Sequence, residues 1–237
     1  MHAVPAYLPA GLEPLPPRIL SCRIIPIGSD ALMGQFACKP HHVSLGMLTC
    51  DQDDSLYAAL DHATKFANVQ VVSAQSFYAG SSHASGPFSG EILGVLAGPD
   101  PDEIAEGLEA ARDYLDRIAC FYQVPTASGV PTTVFPHVIA ETGHFLSAEA
   151  GIAAGTPLAY LIAPPMESTV ALDAALKAAD VRMCRYFAPP TPTNFGGAYL
   201  TGDLAAVEAA AAAFAEAVMD VARWPLQGLR RPERDRR

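Results

Sequence analysis

Hydrophobic and polar positions along this chain fall into a series that is written out twice. An apolar strand pattern covers Ile19 to Ile27, and a short apolar run at Leu45–Cys50 follows an irregular stretch. Acids and cap formers in Asp51-Gln52-Asp53-Asp54 open a helix with Leu56, Leu60, Ala63 and Ala67 on one side. Strand residues Val69–Ser73 lead into a Gly-, Ser- and Ala-rich segment. The nearly continuous apolar run Glu91–Ala97 then reads as a strand covered by helices. Gly98-Pro99-Asp100-Pro101-Asp102-Glu103 starts a helix with Ile104, Leu108, Ala111, Leu115 and Ile118 on one face. Beyond a linker at 122–134 the order returns. Strands are predicted at Phe135–Ala140 and Leu158–Ala163, a helix at about 168–179, and strands at Val181–Phe187 and Ala198–Thr201. A long helix closes the series, striped by Leu204, Val207, Ala211, Phe214, Val218 and Val221.

The repetition extends to residue identities. Ala59-Leu60-Asp61-His62-Ala63-Thr64-Lys65-Phe66-Ala67-Asn68-Val69 recurs as Ala171-Leu172-Asp173-Ala174-Ala175-Leu176-Lys177-Ala178-Ala179-Asp180-Val181, with seven of eleven positions identical. Leu45-Gly46-Met47-Leu48 answers Leu158-Ala159-Tyr160-Leu161, and Val95-Leu96-Ala97-Gly98 answers Tyr199-Leu200-Thr201-Gly202. Copies more than a hundred residues apart are two domains rather than a solenoid. Each half reads β, β, α, β, β, α, which predicts an α+β layer architecture with helices on mostly antiparallel sheets. Residues 1–17 carry five prolines and are expected to form an irregular arm. The modules are then 18–124 and 125–227, with a basic, disordered tail at 228–237.

Composition narrows the class. Half of the 237 residues are hydrophobic and only 17% are charged, which favours close helix packing and broad protein–protein contact. A net charge of −10 argues against nucleic acid or an anionic membrane as partner. Five cysteines, odd in number and without a CxxC pair, fit a reducing cytosol. No apolar run is long enough to span a bilayer, and the N-terminus lacks signal-peptide order. Cys38, His41, His42, His83, His137 and His144 have no ligand spacing, so no metal site is expected; His83 alone is of interest. No G-x-S-x-G, P-loop or dinucleotide fingerprint occurs, which counts against an enzyme and against a bound cofactor. Trp224 is expected at the end of the last helix with ordinary core packing.

Taken together, Ser44-Leu45-Gly46, Asp53-Asp54, Ala63-Thr64-Lys65, Tyr78-Ala79-Gly80, Gly90-Glu91, Thr142-Gly143, Ala163-Pro164-Pro165, Asp173-Ala174-Ala175-Leu176-Lys177 and Leu200-Thr201-Gly202 resemble the bacterial microcompartment (BMC) shell domain. The likeness is to its circularly permuted tandem form, of the ethanolamine-utilisation kind. It implies a non-enzymatic tile: a homotrimer forming a pseudohexamer, packed against other shell proteins at its edges in the cytoplasm. It also implies a gated central pore, lined here by Ala74–Ser85, with Phe77, Tyr78, Ala79, Gly80 and His83, and by Tyr186–Gly196, with Pro189, Pro190, Thr193, Asn194 and Phe195. Small residues favour movement of the first loop, whereas prolines stiffen the second.

The resemblance further implies an ethanolamine site at Asp53, Glu91 and the backbone near Phe121. An ammonium group suits carboxylates, and an aromatic neighbour adds cation–π attraction. On the sequence alone Asp53 also reads as a helix cap and Glu91 as a solvated strand end. The second copy has Pro165 and, near Ala198, no acid at the matching places, whereas purely architectural carboxylates tend to repeat. A shell tile for choline or propanediol, and a soluble small-molecule sensor, are the alternatives.

Overall fold

The computed structural model describes residues 2–77, 86–126, 128–189 and 191–226. In the first module the order is β2 (Ile19–Ile25), α1 (Asp30–Gln35), β3 (Ser44–Cys50), α2 (Asp53–Ala63), β4 (Gln70–Ser76), β5 (Ile92–Gly98) and α3 (Pro101–Arg117). The second module repeats it as β7 (Thr132–Ile139), α4 (His144–Ala150), β8 (Leu158–Ala163), α5 (Pro165–Ala178), β9 (Arg182–Phe187), β10 (Gly196–Thr201) and α6 (Leu204–Arg223). The strands are arranged β2-β3-β5-β4 in one sheet and β7-β8-β10-β9 in the other, antiparallel throughout. The two halves therefore share a topology as well as a sequence pattern.

Alternation along β3 and β5 explains the layering. Leu48, Cys50, Ile92 and Leu96 face α2 and α3, while Leu45, Val95 and Ala97 face the opposite way, toward Met33 of α1. In the second module Ala159, Leu161 and Ala163 face α5 and α6. Alanines on both helices (Ala171, Ala175, Ala210, Ala211) let them pack closely, which is where the alanine excess is used. The other side of that sheet, with Phe135, Leu158, Tyr160, Ile162 and Tyr199, joins the core of the first module. One apolar core thus runs through the seam between modules.

Several expectations need correction. The irregular stretches after the first strand of each half contain α1 and α4, too short to show a helical period. The arm is not wholly irregular: β1 (Glu13–Leu15) pairs with β6 (Phe121–Val124), which in turn pairs with β7, so the second sheet has six strands. Leu8 and Leu12 of the arm are buried in the second module's core. The linker region accordingly holds β6 and the start of β7, with Pro125 and Pro131 confined to the connection between them. Ile118 and Leu204 leave the buried stripes and are exposed, Ile118 because it caps the end of α3 outside the helical geometry. Trp224 does end α6, donating its backbone N–H to Asp220, but its side chain is exposed rather than packed in the core. Residues 228–237 lie outside the described residues.

Candidate functional site

The first turn of α2 sits at the seam and carries three neighbouring polar side chains inward. Gln52 occupies the N-cap position without making a side-chain cap bond. Its amide instead donates to the Leu15 carbonyl at 2.8 Å and accepts from the Phe121 N–H at 3.3 Å. It thereby ties the arm and β6 to the first module. Asp53 is buried; one oxygen accepts from the Asp54 N–H at 2.9 Å and the other from the Thr193 hydroxyl at 3.3 Å. Asp54 is buried beside it and accepts from the Tyr160 hydroxyl. A carboxylate in the first helical turn gains from the helix dipole, but burial works against both. It raises the Asp53 carboxyl above its ordinary value, and it raises that of Asp54 well above, with the Asp53 charge adding to the effect.

Glu91 enters the same neighbourhood from the residue before β5. Its N–H donates to the Cys50 carbonyl at 2.8 Å and its carbonyl accepts from the Phe77 N–H at 2.9 Å. Gly90, just before it, has φ +65°, and a Cβ there would run into the Cys50 carbonyl, so only glycine permits this entry. Burial raises the Glu91 carboxyl to about 7, with Asp53 and then Asp51 contributing as like charges. Among the described residues no salt bridge reaches Asp53, Asp54 or Glu91; Arg18 is taken by Asp51 and Arg185 by Glu149. Three carboxyl groups thus share the site, and among the described residues none of them has a cationic partner.

The second module supplies the aromatic side. The Phe121 ring lies 5.0 Å from Phe135 and 5.7 Å from Phe195. Thr191 organises the loop before β10: its hydroxyl accepts from Phe195 N–H and its N–H donates to the Phe195 carbonyl, both at 3.1 Å. This turn, with Asn194 at φ +63°, aims Thr193 at Asp53. Asp53, Asp54, Tyr57, Tyr160, Thr193 and Phe195 also border an intermodular groove of about 1040 Å³.

The structure thus brings Asp53, Glu91, Phe121, Thr193 and Phe195 into one neighbourhood, with Phe77 attached through Glu91. Pro189 packs beside Gly196 at the base of the same loop, and Asn194 is exposed at its tip. Tyr78, Ala79, Gly80, His83 and Pro190 lie outside the described residues. Sheet register corrects one correspondence: Cys50 pairs Ile92 and Ala163 pairs Gly196, so the counterpart of Glu91 is Phe195 rather than a position near Ala198. Gln52 and Tyr160 were missed, since neither belongs to a recognisable motif and their bonds to Phe121 and Asp54 span more than sixty residues of chain. Among the described residues no cluster of His, Cys, Asp and Glu could hold a metal, and no helix is long and apolar enough to cross a membrane.

Residues 44–126 and 166–224 match the BMC domain, one stretch in each module. The chain belongs to the BMC-domain family. Within it, the chain is 50% identical to the bacterial microcompartment shell protein EutL of Clostridium perfringens over 89% of its length and 96% of that protein's. It is 44% identical to EutL of Salmonella typhimurium over 91% of its length and 98% of that protein's. Among solved structures, the ethanolamine utilization protein EutL of Leptotrichia buccalis superimposes with a TM-score of 0.87 at 45% identity. That match covers 91% of this chain and 98% of the other. EutL from Clostridium perfringens gives 0.88 at 48% identity, covering 92% and 98%. Membership of the EutL group of BMC shell proteins carries the two-module fold with it, as the duplicated sheet order independently shows.

Proposed function

We propose that this chain is a non-enzymatic shell tile of an ethanolamine-processing microcompartment. Three chains form a trimeric pseudohexamer with a central pore, and tiles meet other shell proteins at their edges. The observation that carries this reading is the pair of like modules, matched along nearly their whole length by EutL shell proteins. The seam within each chain is a second opening, where Asp53 and Glu91 take the ammonium of ethanolamine and the ring and backbone at Phe121 flank it. Supporting this, the carboxylates have no cationic partner among the described residues, and buried charges are ordinarily paired.

Selectivity in such a tile comes from pore width, backbone polar groups and local charge, with no bond made or broken. Thr193 links the loop before β10 to Asp53. A cation that draws on Asp53 therefore biases that loop only as far as its affinity differs between loop positions. Calorimetric titration of ethanolamine into the full chain tests the binding, with saturable one-per-chain uptake expected. Electron microscopy at high concentration tests the tile: ordered sheets are expected, whereas unassembled particles that still bind the amine indicate a sensor.

A further inference from the structure

We infer that Asp54 is held as a neutral acid: it keeps its proton and, with the Ser76 and Thr193 hydroxyls, fixes Asp53 as the anion that meets the amine. This rests on the amine-binding reading above and gives roles to three residues beyond those proposed to touch the ligand.

Asp53 and Asp54 are consecutive, both are buried, and their carboxyl groups are hydrogen-bonded to each other. Two carboxylates in contact away from water do not both ionise, so one proton stays on the pair. Where it stays depends on which carboxylate has the better set of donors. Asp53 accepts the Asp54 N–H at 2.9 Å and the Thr193 hydroxyl at 3.3 Å, and the Ser76 side chain bonds it as well. Asp54 has the Tyr160 hydroxyl, a phenol that is also bonded to Tyr199. Burial lifts both carboxyls, and that of Asp54 the further. The proton therefore belongs to Asp54, whose O–H becomes one more donor to Asp53. A carboxylic acid kept neutral by its surroundings can donate a hydrogen bond at neutral pH.

The groups around the pair support this placement. Those that titrate and face it are Cys50 at the end of β3, Tyr57 on α2, Glu91 before β5, Tyr160 on β8 and Tyr199 on β10. All are acids, phenols or a thiol. Arg185 reaches as far as Tyr199 and is paired with Glu149. A second full charge on Asp54 would stand unanswered. The two hydroxyls that serve Asp53 come from different elements: Ser76 ends β4, and Thr193 lies in the loop before β10. Each also has a local partner. The Ser76 hydroxyl lies 3.0 Å from that of Tyr57, and the Thr193 hydroxyl 3.4 Å from that of Thr191. A hydroxyl has one proton to give, and the ionised Asp53 is the stronger acceptor. Tyr57 holds the end of β4 in place, donating to the Ala74 carbonyl and accepting the Ser76 N–H, both at 3.2 Å.

Calorimetry of ethanolamine binding to the full chain, in buffers of differing ionisation enthalpy, counts the protons released and tests the assignment. Glu91 titrates at about 7, so release of about half a proton at pH 7 and about a tenth at pH 8 is expected, with none from Asp53 or Asp54. Release of about one proton at pH 8 means that the aspartate pair gives its proton up; it overturns the assignment and leaves the amine site standing. A chain that takes up no ethanolamine overturns both. Infrared difference spectra at pH 8 give a second readout. Wild type is expected to show the carbonyl stretch of a protonated carboxyl that Asp54→Asn lacks, and a stretch that persists in Asp54→Asn contradicts the inference. Ser76→Ala combined with Thr193→Val tests the hydroxyls through a pH profile. Without those donors Asp53 takes up a proton more readily, so ethanolamine affinity should fall roughly threefold more at pH 6 than at pH 8. An equal loss at both, as a merely looser fold would give, overturns their role.

Discussion

At the residue scale the decisive feature is a set of acids held where water is scarce and where, among the described residues, no salt bridge answers them. Glu91 titrates near 7 in the folded chain, above the ordinary 4.5. Between those values the folded state keeps a proton that the unfolded state has lost. Stability from this residue is accordingly full at low pH and declines as pH rises toward 7. The effect is moderated by water, since the side chain is only half-buried. Glu91→Gln should flatten that decline in thermal melts taken from pH 5 to 8. Binding runs in the opposite direction, because an ammonium needs the ionised carboxylate: ethanolamine affinity should weaken toward ~tenfold per unit as pH drops well below 7. Asp53→Asn should weaken binding by roughly 30-fold or more, since it removes one partner of a buried charge pair. Asp53 and Glu91 were named from the family resemblance; their absence from the second copy supported that choice, while the residues alone also read as a helix cap and a strand end. Their surroundings were not, since Gln52, Tyr160 and Thr193 reach the site through chain returns of 69, 106 and 140 residues.

Among the contacts across the seam, one buried carboxylate joins two helices. Asp61 on α2 satisfies N–H groups at the start of α4 that the short helix cannot satisfy for itself. Asp61→Ala leaves those donors buried and unpaired, which costs about 3 kcal/mol and should lower Tm by roughly 6–12 °C for a chain of this length. Gly143→Ala drives a Cβ into the Asp61 carbonyl and should destabilise by about 1–3 kcal/mol; differential scanning fluorimetry measures both. The long helices and central strands could be read from periodicity because their burial follows a regular stripe or alternation. The helices α1 and α4 could not, being under two turns or about two turns long. The strands β1 and β6 were hidden for another reason. They exist by pairing with each other and with β7, a long-range choice that three or four residues cannot announce.

For the whole molecule, duplication sets the geometry, and the proposed function rests on the asymmetry between the copies. The four repeated strands of each sheet share one order, which the sequence repeat makes visible. The differences accumulate where the modules face each other or face outward. The internal seam is polar and carries the acids; the matching outward faces are apolar and open. The trimeric tile proposed above would cover such faces with further copies of the chain. Analytical ultracentrifugation of the full-length chain at physiological ionic strength tests this most directly. The account predicts a single species with the mass of three 24.9 kDa chains. A stable particle of one chain across the concentration range would contradict it.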